Sequence, residues 1–405
     1  MNENDRAILS VTTLGHGLVH AYELAIPILI PIWMAEFEVS AAAVGIAVAI
    51  GYGIYGLGAL PGGVATDTVG SMWLIRACVF GMGLAFLFLA FVDGMVGITL
   101  ALVVWGFAAS VYHPAGLRLI STGATSRGAA LGIHGIAGNV GIAAGPLLAA
   151  LLLLAFDWRV VVAVLAIPAI LAGVYALRVD VNELAASPDG GMPDEESPSL
   201  GGVVESSKLL FLGGFALVFP IVVLEGFFYR GMLTFLPDVL AGYPALAVFE
   251  VAGRTVDPAQ YVFVGLLFVG MAGQYVGGRL SDRMPPDRAV IGAFGALAVI
   301  SLAFVPAASF GLWAVLLVSA ALGFVLFGEQ PLLQALVADY SATDVRGLSY
   351  GYMFLGVFGV GALGAAVSGI VLSVTGANAL FLLLAVVPVL AASLTALLVR
   401  RRGVA

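Results

Sequence analysis

The chain has 405 residues, of which 61% are hydrophobic and only 10% are charged. Soluble domains carry about 25% charged residues, so this composition excludes two or three soluble domains and makes lipid the expected solvent. The net charge of −8 argues against nucleic acid as a partner. The single cysteine, Cys78, excludes an intrachain disulfide framework and any multi-cysteine metal site.

Apolar stretches long enough to cross a bilayer recur along the whole chain. A spanning helix needs about 20 mainly apolar residues to cross a hydrocarbon core of about 30 Å. In chain order the predicted spans are 7–33, 41–66, 72–92, 95–120, 128–156, 159–177, 208–236, 260–280, 289–307, 312–337, 347–374 and 379–399. We therefore predict an all-α integral membrane protein with twelve transmembrane helices.

The polar stretch between the sixth and seventh spans, 180–207, is rich in proline, glycine, serine and acidic residues. This composition predicts a flexible acidic linker between an N-terminal domain, 1–179, and a C-terminal domain, 208–405.

The distribution of arginine and lysine predicts the orientation, because short cytoplasmic loops retain these residues. With the N-terminus inside, only Arg159, Arg230 and Arg254 lie away from the cytoplasmic face. We expect a multi-pass plasma-membrane protein with cytoplasmic termini and linker, and a longest outer loop at 237–258. The polar, acidic start of the chain predicts no cleavable signal peptide.

The first span places three ionisable side chains on one helical face. His16, His20 and Glu23 follow one another at i, i+4 and i+7. A charged group in mid-membrane costs about 2.5–3.5 kcal/mol on insertion scales, so such groups usually face a bundle interior or a wet cavity. A functional role is the favoured interpretation, and hydrogen bonds between packed helices are the structural alternative.

The two halves carry similar motifs, which indicates internal symmetry. Tyr112–Pro114 on the fourth span leads through Arg127 into a glycine-rich fifth span. Glu329–Pro331 on the tenth span leads through Arg346 into a glycine-rich eleventh span. Two pseudo-symmetric six-helix bundles are therefore predicted, and the proline beside Glu329 predicts a break in the tenth helix.

Two such bundles joined by a cytoplasmic linker resemble the major facilitator superfamily. After the second span, Gly63–Gly70 resembles the family's loop signature of glycine, aspartate four residues later, and glycine, although Ser71 and Met72 replace the usual basic pair. Gly278–Arg283 is the counterpart in the second half. Because such an aspartate helps to latch the halves together in the family, the resemblance implies a gating role for three residues, Asp67, Arg118 and Asp282.

The fifth span resembles the signature of proton-coupled exporters of this superfamily. Gly132, Gly141, Gly145 and Pro146 have its spacing, although alanines replace its terminal glycine pair. Small residues let helix backbones approach closely and a proline interrupts the hydrogen-bond ladder, so a conformational role is implied.

The His-Pro pair at 113–114, followed by Arg118, resembles the fosmidomycin-resistance group of exporters. The arginine that many drug exporters carry in the middle of the fourth span is absent, so coupling through that residue is not implied.

In the superfamily, spans one, four, seven and ten line the central cavity, and the polar residues of this chain fall on the same spans. Besides the first-span face, they are His113 on span four, Glu225 and Arg230 on span seven, and Glu329 and Gln330 on span ten. Glu225 and Arg230 are five residues apart and do not share a helical face, which predicts that they do not pair. Our hypothesis is that Glu23 and Glu225, with His16, His20 and His113, couple solute movement to protons.

Other interpretations of these residues stay open. His113 can satisfy a carbonyl freed by Pro114, Arg230 can reach the outer interface, and His134 can hydrogen-bond a neighbouring helix. Imidazoles also suit zinc, copper, iron and nickel. A carrier must release its cargo, so we predict no resident metal and no cofactor, and leave open a metal ion as passing substrate.

The predicted function is alternating-access transport of a small solute, as export of a drug or small organic compound driven by protons, or by sodium. A monomer in the bilayer is expected. The alternative within transport is symport of a small organic anion or metal chelate. A membrane receptor or a membrane-embedded enzyme is the alternative of another class, and no nucleophile, phosphate loop or His-Glu-x-x-His helix favours an enzyme.

Overall fold

The computed structural model describes residues 1–186, 200–341 and 346–402. Within these residues, twelve helical segments are long and apolar enough to cross a membrane, which confirms the predicted number. In chain order the helices are α1 (Glu3–Glu36), α2 (Ala41–Leu57), α3 (Ala59–Val69), α4 (Ser71–Leu89), α5 (Met95–Ser110), α6 (Tyr112–Gly123), α7 (Arg127–Leu153), α8 (Trp158–Arg178), α9 (Leu200–Leu212), α10 (Phe215–Ala241), α11 (Pro258–Ser281), α12 (Pro286–Phe310), α13 (Leu312–Asp339), α14 (Arg346–Phe354), α15 (Leu363–Thr375) and α16 (Ala377–Arg402).

Three spans are interrupted helices. The second span is α2 with α3, and the fourth is α5 with α6, divided at Val111 just before the His-Pro pair. In the eleventh, a π-helical stretch, Leu355–Gly359, and a 3-10 turn, Val360–Ala362, separate α14 from α15. The predicted break in the tenth span was wrong, because α13 continues through Pro331. In a membrane, packing against neighbouring helices lets a helix continue past a proline.

The seventh span begins later than predicted, and the outer loop after it is shorter. Residues 200–212 form the separate helix α9, and α10 then runs from Phe215 to Ala241 with Pro237 inside it. The prediction that the outer loop starts at Pro237 was therefore wrong. The loop contains a 3-10 turn, Pro244–Leu246, and a hairpin of β1 (Phe249–Val251) and β2 (Arg254–Val256).

By Cα packing the chain divides into two compact units, Met1–Leu29 with Ile50–Gly201, and Ile30–Ala49 with Gly202–Ala405. The second boundary, between residues 201 and 202, lies inside the predicted linker. The sequence did not predict that residues 30–49 group with the second unit. The domain limits 1–179 and 208–405 stay a prediction. Of the linker, residues 187–199 lie outside the described part.

The described start of the linker is attached to the first unit. The Glu183 carboxylate accepts hydrogen bonds from the backbone N–H groups of Ser71, at 2.9 Å, and Met72, at 3.0 Å. These are the first residues of α4, where a negative charge stabilises the helix terminus. Residue 183 therefore supplies a cap for the helix that follows the loop signature.

Glycines of the fifth span bring α7 against α1 in the first unit. A Cβ atom added at Gly141 would collide with the carbonyl oxygen of Gly17, and one at Gly145 with that of Ala21. A Cβ atom at Gly132 would meet nothing within 4 Å. Close helix packing therefore requires glycine at 141 and 145 but not at 132.

The second unit repeats this arrangement with its own spans. A Cβ atom at Gly226 of α10 would collide with the backbone of Val357, and one at Gly364 of α15 with the carbonyl oxygen of Phe227. In each unit, glycines thus allow backbone contact between two spans: the fifth with the first in the first unit, and the eleventh with the seventh in the second unit.

Helix α8 offers a test of local stability. The Asp157 side chain accepts from the backbone N–H groups of Arg159, at 2.9 Å, and Val160, at 3.2 Å, and so caps the helix. Asp157→Ala should lower the free energy of unfolding by about 0.5–2 kcal/mol. Denaturant unfolding in detergent measures the change. Asp157→Asn keeps an acceptor and is the control, so equal losses for both variants would contradict the capping role.

Candidate functional site: two buried polar clusters

All four histidines of the sequence meet in the first unit. His16 of α1 stacks on His134 of α7, with ring centroids 4.0 Å apart and ring planes at 8°. The His16 centroid lies 4.9 Å from that of His20 and 5.3 Å from that of His113 of α6. His20 and His113 are 5.5 Å apart. The face predicted on the first span thus joins histidines from the fourth and fifth spans in one histidine cluster.

Hydrogen bonds connect this cluster into a chain. His16 Nδ1 lies 2.7 Å from the carbonyl oxygen of His134, and His20 Nδ1 lies 2.7 Å from Glu23 Oε2. Between the two rings, His16 Nε2 and His20 Nε2 are 3.2 Å apart. Glu23 itself is 1% exposed, so its contact with His20 is shielded from bulk solvent.

The helices around the histidine cluster are held by small residues and tyrosines. A Cβ atom at Gly138 would collide with the His16 ring, and one at Gly15 with the ring of Tyr112. The Tyr112 hydroxyl donates to the carbonyl oxygen of Thr12, and the Tyr52 hydroxyl donates to that of Glu23 at 2.8 Å. Sequence reasoning missed Gly138, whose position four residues after His134 was the available signal.

A second set of ionisable groups lies in the second unit, and we call it the acidic cluster. Glu225 and Arg230 of α10 are 3% and 2% exposed, and Glu329 of α13 is fully buried. Tyr229 of α10 and Phe327 of α13 pack with ring centroids 6.0 Å apart, so the two helices meet beside these residues. The three groups are close enough to influence one another electrostatically. The prediction that Glu225 and Arg230 do not pair stays a prediction, because a shared cluster does not by itself make them an ion pair.

Arg230 is packed between aromatic rings. Its guanidinium carbon lies 5.4 Å from the ring centroid of Tyr229 and 5.3 Å from that of Phe358, within the range of cation–π attraction. The side chain is 2% exposed, so these rings hold it inside the second unit and away from solvent.

The acidic cluster contains two carboxyl groups and one guanidinium. In the described part of the chain, neither oxygen of Glu329 has a hydrogen-bond partner. Ionising both carboxyl groups would leave one uncompensated negative charge in a buried site, which is costly. One proton on the two carboxyl groups makes the cluster neutral. Gln330, the next residue of α13, is half-buried.

The gating candidates lie at helix ends. Arg118 of α6 donates through Nη1 to the carbonyl oxygen of Thr66 of α3, at 2.5 Å. This carbonyl directly precedes Asp67, whose side chain is outside the description. Asp282 is exposed at the C-terminal end of α11. Arg118 therefore connects the fourth span to the loop signature within the first unit.

Twelve apolar helices with ionisable groups buried among them define the architecture of a polytopic membrane protein. The sequence model of the Major Facilitator Superfamily matches residues 12–361 and 253–404, so the chain belongs to this superfamily. Family and fold together place it among secondary transporters.

Individual relatives agree with this assignment. The chain is 26% identical over 400 residues to the fosmidomycin resistance protein of Escherichia coli (strain K12), covering 95% of this chain and 90% of that protein. It is 24% identical over 389 residues to the membrane sensor protein UhpC of the same organism, covering 90% and 84%. The resemblance to the superfamily and to the fosmidomycin-resistance group is confirmed.

A solved structure shows the same fold. The crystal structure of a mutant of the nucleoside transporter NupG superposes with a TM-score of 0.80 and covers 97% of this chain and 99% of that one. Sequence identity is 15%, so the likeness concerns the fold alone.

Proposed function

We propose that the chain exports a small solute across the plasma membrane by alternating access, in exchange for protons, with both termini in the cytoplasm. The observation that carries proton coupling is the acidic cluster, which holds two carboxyl groups and one guanidinium away from solvent. The relation to the fosmidomycin resistance protein supports export of a small organic compound.

The charge balance of the acidic cluster gives a reason for coupling. With one proton the cluster is neutral and can remain buried. When that proton leaves, one negative charge stays without compensation, and it needs water or a cationic group nearby. Proton loss therefore favours a conformation in which Glu225 or Glu329 contacts water or a cationic solute. In this proposal Gln330 contributes a polar side chain beside that site.

The remaining candidates have conformational roles in this proposal. Gly141 and Gly145 let α7 move along the backbone of α1 without side chains in between, and Pro146 weakens the local hydrogen-bond ladder. Arg118, Asp67 and Asp282 have the gating role that the family resemblance implies, and Arg118 is fixed to the carbonyl of residue 66.

Transport in liposomes tests the coupling. Purified protein is reconstituted under an imposed pH gradient and screened for solutes whose addition changes the internal pH. Glu329→Gln fixes the cluster in a neutral form, so pH-driven transport should fall to background while exchange of labelled for unlabelled solute continues. Asp93→Asn, at a side chain that is 93% exposed, is the control. Undiminished pH-driven transport in both Glu225→Gln and Glu329→Gln would refute the proposal.

The relation to UhpC favours a second candidate, a membrane sensor that binds a solute without moving it. The same preparation discriminates between the two. Solute binding to the purified chain, with no movement in liposomes under either direction of the gradient, would favour the sensor. Solute accumulation with the proton flow, instead of against it, would favour symport of an organic anion or a metal chelate.

A further inference from the structure

The hydrogen bonds of the histidine cluster determine which ring nitrogens carry lone pairs. A carbonyl oxygen only accepts, so His16 Nδ1 donates to the carbonyl of His134, and Nε2 of the neutral ring has the lone pair. When Glu23 is ionised its carboxylate also only accepts, so His20 Nδ1 donates to Glu23 and His20 Nε2 likewise has a lone pair. Both Nε2 atoms are therefore available as ligands.

The two lone pairs meet in one contact, since the Nε2 atoms are 3.2 Å apart. In that state two lone pairs at this distance repel each other, and a proton or a metal ion between them removes the repulsion. A tetrahedral zinc ion with Zn–N bonds of about 2.0–2.1 Å holds two ligand nitrogens about 3.3–3.4 Å apart. The observed separation fits a pair of metal ligands.

A third histidine completes a ligand set. Each of the three histidines, His16, His20 and His113, offers one ring nitrogen, and these three nitrogens lie within 4.8 Å of one another. The ring of His113 is nearly perpendicular to the other two, at 82° and 77°, so it approaches the pair from another direction. A proton shared by two rings gives no role to a third imidazole, whereas a metal ion uses it.

The groups that accept hydrogen bonds from the ligand histidines also fit a metal site. Histidines that bind metal almost always donate their second ring N–H to a carbonyl or a carboxylate, which fixes the ring and the tautomer. His16 has the carbonyl of residue 134 in this position, and His20 has the carboxylate of Glu23.

We propose that His16, His20 and His113 bind a divalent transition-metal ion of the zinc, cobalt or nickel type, as the bare ion or in a small chelate, and that this ion is the recognised part of the transported solute. The inference rests on the proposed transport function and names its substrate class. Three protein ligands leave a coordination position open, and all three residues are half-buried, so exchange and release are possible.

Equilibrium binding of Co²⁺ to the purified full-length chain in detergent tests the site. Co²⁺ held by three imidazoles in a tetrahedral site gives strong visible absorption bands, which Zn²⁺ should remove by displacement. His113→Ala should abolish the bands. Glu23→Gln, which weakens the support of His20, should lower the affinity about 10–100-fold.

His134→Gln is the matched control, because it removes a histidine of the same cluster whose side chain is outside the ligand set. The backbone carbonyl that supports His16 remains, so Co²⁺ binding should persist. The transported species is either the bare ion or a chelate of it. Titration with Co²⁺ alone, compared with titration with Co²⁺ plus one equivalent of citrate, distinguishes these two species. Tighter binding in the first case assigns the bare ion, and tighter binding in the second assigns a chelate.

The inference is overturned if folded wild-type protein binds neither form of Co²⁺, or if His113→Ala binds as well as wild type. A proton shared between His16 and His20 would then explain their contact. The Co²⁺ binding assay is run at fixed pH and needs no pH gradient. A negative result in this assay can therefore be told apart from a failure of proton-coupled transport. Intact Co²⁺ binding with no pH-driven transport would count against the proposed function alone.

Discussion

Gly141→Ala is expected to disrupt the first unit. The new Cβ atom would collide with the carbonyl oxygen of Gly17, and a backbone atom cannot rotate away as a side chain can. Helices α1 and α7 must then separate, at a cost at or above the upper end of the about 1–3 kcal/mol seen for overpacking. Separation also removes the support of His16 by the carbonyl of residue 134. The expected result is a large loss of monodisperse protein in detergent and of transport by the remainder.

Gly132→Ala is the control on the same helix. It makes the same chemical change where a Cβ atom meets nothing within 4 Å. Alanine is also a better helix former than glycine, by about 0.8–1.0 kcal/mol, so this variant should be as stable as wild type or more so. Thermal unfolding and yield measure both variants. Equal effects at 132 and 141 would show that the contact between α7 and α1 does not determine stability.

Arg230→Gln is expected to have the second large effect, in the acidic cluster. The substitution removes the only positive charge identified there among the described residues and leaves the carboxyl groups of Glu225 and Glu329 buried. A buried charge that loses its compensating charge typically costs about 3–5 kcal/mol. Unfolding in detergent should show a loss of this order, and pH-driven transport should be lost with it.

A double variant separates charge balance from packing. Glu225→Gln combined with Arg230→Gln removes one charge of each sign, so it should recover much of the stability lost in the single variant. Arg254→Gln is the surface control, since this arginine is exposed in the hairpin and surface substitutions usually change stability by less than about 0.5 kcal/mol. A double variant no more stable than Arg230→Gln would mean that the guanidinium acts through its packing on aromatic rings.

The spans could be predicted because hydropathy is a local property that the bilayer enforces along the whole chain. The errors in the predicted helices occurred where one residue pattern is compatible with two different structures. The serine- and glycine-rich residues after 200 look like linker, yet they form α9. Pro331 is a helix breaker in water, but α13 passes through it.

The candidate site was predictable only within single helices. Helical spacing alone puts His16, His20 and Glu23 on one face of the first span, whatever the tertiary fold. The approach of His113 and His134 depends on how α6 and α7 pack on α1, which glycines such as Gly138 decide through the space they leave.

The aromatic surroundings of Arg230 could not be predicted for a related reason. Residues five apart diverge around a helix, and this rule treats side chains as short and radial. A long arginine side chain can instead bend across the helix and lie against aromatic rings, as it does beside Tyr229 and Phe358. The rings, one of them on another span, were not part of the helical pattern.

The π-helical stretch Leu355–Gly359 contains Phe358, the second of those rings. A π turn holds one residue more than an α turn, and such a surplus residue can migrate along a helix while both ends stay anchored. Each residue that it passes swings by about 100° around the axis. Phe358 lies both in this stretch and against the guanidinium, so a change of helical register at position 358 would also change the surroundings of Arg230.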